Sequence, residues 1–315
     1  MLKPLRASWR KLVVGHAEAG GPCAAITAHQ LLRPEGPRNY RLARPTRPAG
    51  EPRPLVILLH GFGASGAQLL GQGFPPSPLS QWLEIAEREQ LLLAAPDGTG
   101  HSWNDAFADA RANARTDDCG FISALIDELI VSQGADPSRV YVMGVSKGGM
   151  LSLRLAAELG HRLAAVAPVL ASMPRHSRIP LPSRPLPVLM VASSSDPLVR
   201  YDGGSFRKNR RQAGEMLGVE ATLAIWRELA GLGGAPHRET LAQRHAGSRV
   251  TRMIWGDDPA GLQVGLFRID GGGHAEPSPS RRYPRWINWL TGAQNADFET
   301  AEAGWAFFKD KRRAA

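Results

Sequence analysis

The chain has 315 residues, 43% of them hydrophobic and 21% charged, with a formal net charge of +9 and two cysteines, Cys23 and Cys119. A chain this long buries roughly three-quarters of its unfolded surface and needs no covalent staple. Two cysteines exclude a disulfide scaffold or a Cys-rich zinc site and read as free thiols. No apolar run approaches the ~18 residues of a membrane span. The positive charge gathers at Lys3–Arg6–Arg10–Lys11, Arg207–Lys208–Arg210–Arg211 and Lys309–Lys311–Arg312–Arg313. These clusters read as solvated surface charge, and no helix-turn-helix, zinc finger or RNA platform accompanies them, so no nucleic-acid partner is expected.

Residues 1–36 lack sustained periodicity and read as a weakly structured N-terminal arm ahead of one domain over 37–315. Within the arm, Leu2, Leu5, Trp9 and Leu12 make a basic amphipathic turn. Leu12-Val13-Val14 is too short for the apolar segment of a signal peptide, which favours a cytoplasmic protein. The stretch Arg41–Pro54 holds four prolines and reads as a connector. Then come short, continuous apolar runs: Leu55–Leu59, Leu91–Ala95, Val140–Met143, Leu186–Val191 and Val264–Ile269. Such runs predict buried strands of a parallel sheet. Helical spacing over Trp82–Gln90, Phe121–Val131 and Gly148–Leu159 alternates with them. The alternation predicts one α/β domain, a mostly parallel sheet with helices on both faces.

In such sheets chemistry gathers at the carboxyl ends of the strands. The runs end at His60-Gly61-Phe62-Gly63, Asp97, Ser146, Asp196 and His274. Gly144-Val145-Ser146-Lys147-Gly148 fits G-x-S-x-G between a strand and a helix, the setting of a nucleophile on a tight turn. A serine hydroxyl needs a base. His274, late in the chain and in the Gly271-Gly272-Gly273 loop, is the best placed of nine histidines. The imidazole needs an acid on its other nitrogen. Asp196 is favoured, Asp270 is the rival, and Asp202 and Asp97 are more distant alternatives. Oxyanion donors are expected at the backbone N–H groups of Lys147 and Phe62.

Together with Leu58-Leu59-His60-Gly61, Pro96-Asp97-Gly98, Ser102-Trp103-Asn104, Asp117-Asp118-Cys119-Gly120-Phe121, Ser195-Asp196-Pro197-Leu198-Val199, Tyr201-Asp202-Gly203-Gly204 and Gly271-Gly272-Gly273-His274, the serine motif resembles polyhydroxybutyrate depolymerase-type esterases, relatives of feruloyl and acetylxylan esterases. The similarity runs from about Arg38 to Phe308. It implies an α/β-hydrolase fold, no cofactor, a Ser146–Asp196–His274 triad, and a small or oligomeric ester as substrate. It also implies export, against the reading of the N-terminus. Trp103 would line the acyl or sugar pocket, with packing beneath the loop as its alternative, Asp118 would steady loops near the site, and Trp226 and Trp305 belong to the core. The chain departs from the family after the histidine: a tryptophan and a glycine are common there, whereas this chain has His274-Ala275-Glu276-Pro277. That departure, and the lack of any appended polymer-binding module, point to soluble short esters. The alternatives are a serine peptidase on the same fold and a non-catalytic protein that binds through its basic surface.

Overall fold

The computed structural model describes residues 24–48, 50–107, 115–208, 211–244 and 246–313, with backbone only for 206–208 and 211–213. The amphipathic turn, the first basic cluster and Cys23 lie outside the described residues, as do Asn209 and Arg210 of the second cluster's stretch. In chain order the strands are β1 (Ala25–Arg33), β2 (Gly36–Arg44), β3 (Arg53–Leu59), β4 (Leu92–Pro96), β5 (Ala135–Val145), β6 (Ala165–Val169), β7 (Val188–Ser193), β8 (Gly204–Lys208), β9 (Arg211–Met216), β10 (His237–Thr240), β11 (Arg249–Trp255) and β12 (Val264–Asp270). The helices are α1 (Gly66–Leu69), α2 (Trp82–Glu89), α3 (Asp118–Gln133), α4 (Lys147–Leu159), α5 (Val219–Leu229), α6 (Arg285–Thr291) and α7 (Thr300–Phe308).

Ten strands form one sheet in the order β1-β2-β4-β3-β5-β6-β7-β12-β11-β10, while β8 and β9 pair separately. The six from β4 through β12 are mutually parallel. Antiparallel strands close both flanks, β2 against β4 and β11 against β12. Every residue of β3, β4, β6 and β7 is buried, as their unbroken apolar runs require of strands covered on both faces.

Period-two alternation splits those strands between two cores. Leu55, Ile57 and Leu59 of β3 pack with Phe121, Leu125 and Leu129 of α3 and Trp226 of α5. Val56 and Leu58 face the other way, toward Trp82 and Ile85 of α2 and Trp305 and Phe308 of α7. Trp226 and Trp305 are core residues, as expected. The α/β layering expected from the sequence is therefore the observed one.

Two regions differ from expectation. Ala25–Arg33, read as part of a loose arm, is a strand hydrogen-bonded along its length to β2, and Arg41–Arg44 of the proline-rich stretch belongs to β2 itself. This edge hairpin alternates exposed and half-buried positions, so no continuous apolar run marks it. Lys311, read as solvated charge, is fully buried; its ammonium donates to Pro259 O (2.7 Å) and Gln263 Oε1 (3.0 Å).

From β3 the chain steps to β4 on one side and to β5 on the other. Such a switch point leaves a crevice at the carboxyl ends of the strands. The loops that follow β3, β4, β5, β7 and β12 meet there.

Candidate active site

The turn between β5 and α4 holds Ser146 at φ 52°, ψ −116°, a left-handed backbone that a residue with a side chain adopts only under constraint. Its N–H donates to Val169 O (2.8 Å), and its carbonyl accepts the Met150 N–H (2.9 Å). Glycines make the turn possible. A Cβ on Gly144 would run into the Gly148 carbonyl, and one on Gly148 would meet the carbonyls of Leu59 and His60. The serine is thus pressed against the end of β3. Gly61 sits beside it, since a Cβ there would lie 3.6 Å from Ser146 Cβ. The Lys147 N–H opens α4, where the first amides lack intrahelical acceptors and the helix dipole favours negative charge.

The imidazole comes from the β12 loop. Gly273 N–H donates to Ala293 O (2.8 Å) and His274 N–H to Thr291 O (2.6 Å), pinning the loop to the end of α6. Gly273 has no room for a side chain, because a Cβ would come within 2.6 Å of Gly292 Cα. His274 Nδ1 lies 2.6 Å from Asp196 Oδ2. The other Asp196 oxygen, Oδ1, accepts the N–H groups of Leu198 and Val199, both at 2.8 Å. The carboxylate is buried and its orientation fixed, so the second imidazole nitrogen is left for another partner. The loops after β7 and β12 are also joined directly, Ser194 N–H to Ile269 O (2.8 Å) and Gly271 N–H to Ser194 Oγ (3.2 Å).

The rival acids are engaged elsewhere. Asp270 pairs with Arg268 at 2.9 Å, Asp97 accepts the Gly66 N–H at 2.7 Å, and Asp202 is exposed. The structure therefore brings Asp196, and not Asp270, to His274.

The loop after β3 rests on a buried frame. His60 is fully buried; its Nε2 accepts the Gly98 N–H (2.9 Å) and its Nδ1 lies 2.7 Å from Gly61 O, so Nδ1 carries the proton. Burial pushes its pKa below the usual histidine value, which keeps the ring neutral. Trp103, expected on a pocket wall, is instead fully buried beneath this loop, its ring 4.8 Å from that of His60. In that position it braces the loop and presents no surface to a substrate. Phe62, by contrast, is 57% exposed at the rim. Asp118 steadies loops: its buried carboxylate takes Arg38 Nη2 (2.6 Å), Asn104 N–H (2.6 Å) and Thr116 Oγ1 (3.1 Å).

Two arrangements escaped the sequence reading. The Lys147 side chain forms an ion pair with buried Asp105 and lies 5.8 Å from the Phe107 ring centroid, tying the nucleophile turn to the loop after β4. Glu276, two residues past His274, is buried and accepts the Ser77 (2.8 Å) and Tyr283 (3.1 Å) hydroxyls. Burial raises the Tyr283 pKa, so that hydroxyl stays a donor. Neither carries a motif, and both depend on contacts between residues far apart in sequence.

Comparison with known proteins gives the same direction. The chain is 31% identical over 291 residues to "Putative esterase NocK" of Nocardia uniformis subsp. tsuyamanensis, covering 88% of this chain and 82% of that protein. It is 27% identical to feruloyl esterase B of Piromyces equi, over 71% of this chain and 40% of that one. The solved acetyl xylan esterase from Aspergillus awamori shares the fold, with a TM-score of 0.54 at 18% identity over 79% of this chain and 94% of that one. Residues 43–214 match the family model described as phospholipase/carboxylesterase. That match covers more than half of the chain and includes β3 through β7, the Ser146 turn and Asp196, so the protein belongs to the phospholipase/carboxylesterase family of α/β-hydrolases.

Proposed function

We propose that the chain hydrolyses short, soluble carboxylic esters through an acyl-enzyme on Ser146. The observation that carries this reading is the 2.6 Å contact of His274 Nδ1 with a buried, doubly capped Asp196, at the same sheet edge as the strained Ser146 turn.

In this mechanism His274 Nε2 takes the Ser146 hydroxyl proton as Oγ attacks the ester carbonyl. The tetrahedral oxyanion is held by the N–H groups of Lys147 and Phe62. Collapse breaks the acyl–oxygen bond, and the imidazolium returns its proton to the leaving alkoxide. Water, deprotonated by the same imidazole, then attacks the acyl carbonyl and releases the acid and Ser146. Asp196 fixes the Nδ1–H tautomer and offsets the charge of the imidazolium throughout.

Relatives named for feruloyl, acetylxylan and poly(3-hydroxybutyrate) esters support a short or aryl acyl group. The test is hydrolysis of p-nitrophenyl acetate by wild type and Ser146→Ala. A loss of about a thousandfold or more in kcat is expected for the variant. Equal rates would sink the nucleophile assignment. Faster cleavage of a matched amide than of the ester would favour a peptidase.

A further inference from the structure

The side of the His274 loop away from β7 carries a feature that hydrolysis does not use. A cavity of about 450 Å3 opens there, lined by Ser248, Gly271, Arg282, Arg285, Asn288 and Trp289 among others. Its volume lies in the range of small-molecule sites. Its wall is α6, a seven-residue helix with no buried residue, on which Trp286, Trp289 and Leu290 are 51%, 84% and 55% exposed. Indole faces left to water at this density are unusual away from an interaction site.

The lining is electrostatically one-sided. It contains two guanidinium groups and no carboxylate. Arg282 gives its donors to neutral carbonyls, those of Ser278 (2.7 Å), Asn295 (2.8 Å) and Gln294 (2.6 Å). It forms no ion pair among the described residues; desolvation lowers its pKa, and the nearby Glu299 carboxylate partly opposes that. Arg285 is exposed and enters no ion pair among the described residues. Of the neighbouring carboxylates, Asp270 pairs with Arg268, Asp297 accepts the Arg244 N–H (2.7 Å) and the Asn295 side-chain amide (2.8 Å), and Glu299, which accepts the Ser280 N–H (3.0 Å) and acts electrostatically on Arg282, does not line the cavity. The buried Oδ1 of Asn288 also lacks a partner.

A planar guanidinium matches a carboxylate in two parallel hydrogen bonds, and an indole face takes an aromatic ring. We propose that this cavity is a second ligand site, outside the Ser146–His274 centre, for a free aryl carboxylate. Arg285 binds the carboxylate, Arg282 adds its positive field, and Trp289 stacks on the ring. The proposal does not rest on the hydrolytic reading, since binding is measured without turnover.

The experiment is calorimetric titration of the whole protein with benzoate, acetate and benzyl alcohol at low salt, in wild type, Arg285→Gln and Trp289→Ala. Both substituted side chains are exposed, and unchanged far-UV circular dichroism verifies the fold. Benzoate is expected to bind, acetate and benzyl alcohol each about tenfold more weakly, and each variant to lose about tenfold in benzoate affinity. The proposal is overturned if wild type shows no benzoate heat, or if Arg285→Gln binds benzoate as wild type does, which would place the ligand at Ser146 or elsewhere.

Discussion

The indole N–H of Trp103 donates to the carbonyl oxygen of His60 over 2.9 Å. That bond helps link the loop after β4 to the loop after β3, whose next residue, Gly61, borders Ser146. Phenylalanine at 103 keeps most of the ring but leaves the buried carbonyl without its donor. Trp103→Phe is expected to cost about 1–3 kcal/mol of stability, the penalty of an unsatisfied buried acceptor. In the proposed mechanism this loop carries the Phe62 oxyanion donor, so kcat is expected to fall about tenfold with little change in KM, since such a donor acts on the transition state. Urea unfolding and steady-state kinetics on p-nitrophenyl acetate read the two effects separately. A variant altered in KM alone would return Trp103 to the pocket wall.

Asp196→Asn separates orientation from packing. The side-chain oxygen of asparagine still accepts the Leu198 and Val199 N–H groups, so the β7 loop keeps its turn. The amide NH2 then faces His274 Nδ1 and forces the proton onto Nε2, the nitrogen that accepts from Ser146 in the proposed mechanism. A kcat loss on the order of 10^4 near neutral pH is expected, with stability changed by less than about 1 kcal/mol. A loss of activity that tracks a loss of fold would show instead that Asp196 serves the loop and not the imidazole.

Gly148 tests the contact between the nucleophile helix and β3. A methyl group there meets the backbone carbonyls of Leu59 and His60, which have no side-chain freedom to yield. Gly148→Ala is expected to destabilise the protein by about 1–3 kcal/mol, as overpacking does, despite alanine's better helix propensity. It is also expected to lower kcat more than binding, because the shift falls between the two loops to which the proposed mechanism assigns the oxyanion donors. Thermal unfolding with kinetics on the purified variant checks both. A stabilised variant would mean that α4 is free to slide.

How much of this was legible in the sequence follows from which contacts are local. The buried strands announce themselves as unbroken apolar runs, and Gly144-Val145-Ser146-Lys147-Gly148 carries its turn within five residues. Asp196 was readable because it follows its own strand run and can approach the ring from the side, which ranked it above Asp270, only four residues before His274. The β1–β2 hairpin was not readable, because an edge strand with one wetted face mixes Thr27, His29 and Gln30 among its apolar residues. For Trp103 the sequence left pocket wall and packing residue side by side, since its burial depends on His60, forty-three residues away. The Lys147–Asp105 and Ser77–Glu276 contacts share that property. Lys311 misled in a different way. It sits in a basic run at the end of the chain, yet the turn after α7 folds it under Phe307, with Nζ 4.3 Å from the ring centroid.

That lysine gives a pH prediction of definite sign. Burial lowers its pKa from 10.5 to about 8 in the folded protein. Below pH 8 both folded and unfolded chains hold the proton, and the cost of the buried ammonium is present in full. As pH rises from 8 toward 10.5 the unfolded chain alone stays protonated, so stability rises with pH. Buried Cys119 and the buried tyrosines limit the window. Burial raises the Cys119 pKa from its ordinary 9.0, so above about pH 9 the unfolded thiol ionises first and offsets part of the rise. The Tyr141 hydroxyl donates to Lys311 O (2.7 Å) and its pKa is pushed up to about 12; Tyr40, Tyr201 and Tyr283 are raised as well, so above pH 10 the unfolded tyrosines ionise first and stability turns down. Between pH 8 and 9 wild type is expected to gain on the order of 1 kcal/mol, at 1.36 kcal/mol for each pKa unit traversed. Lys311→Met, which fills the same space without a titrating group, is expected to flatten that slope while leaving the downturn above pH 10. Urea unfolding at half-unit steps from pH 7.5 to 10.5 measures both curves, and a parallel rise in the variant would assign the slope to another group.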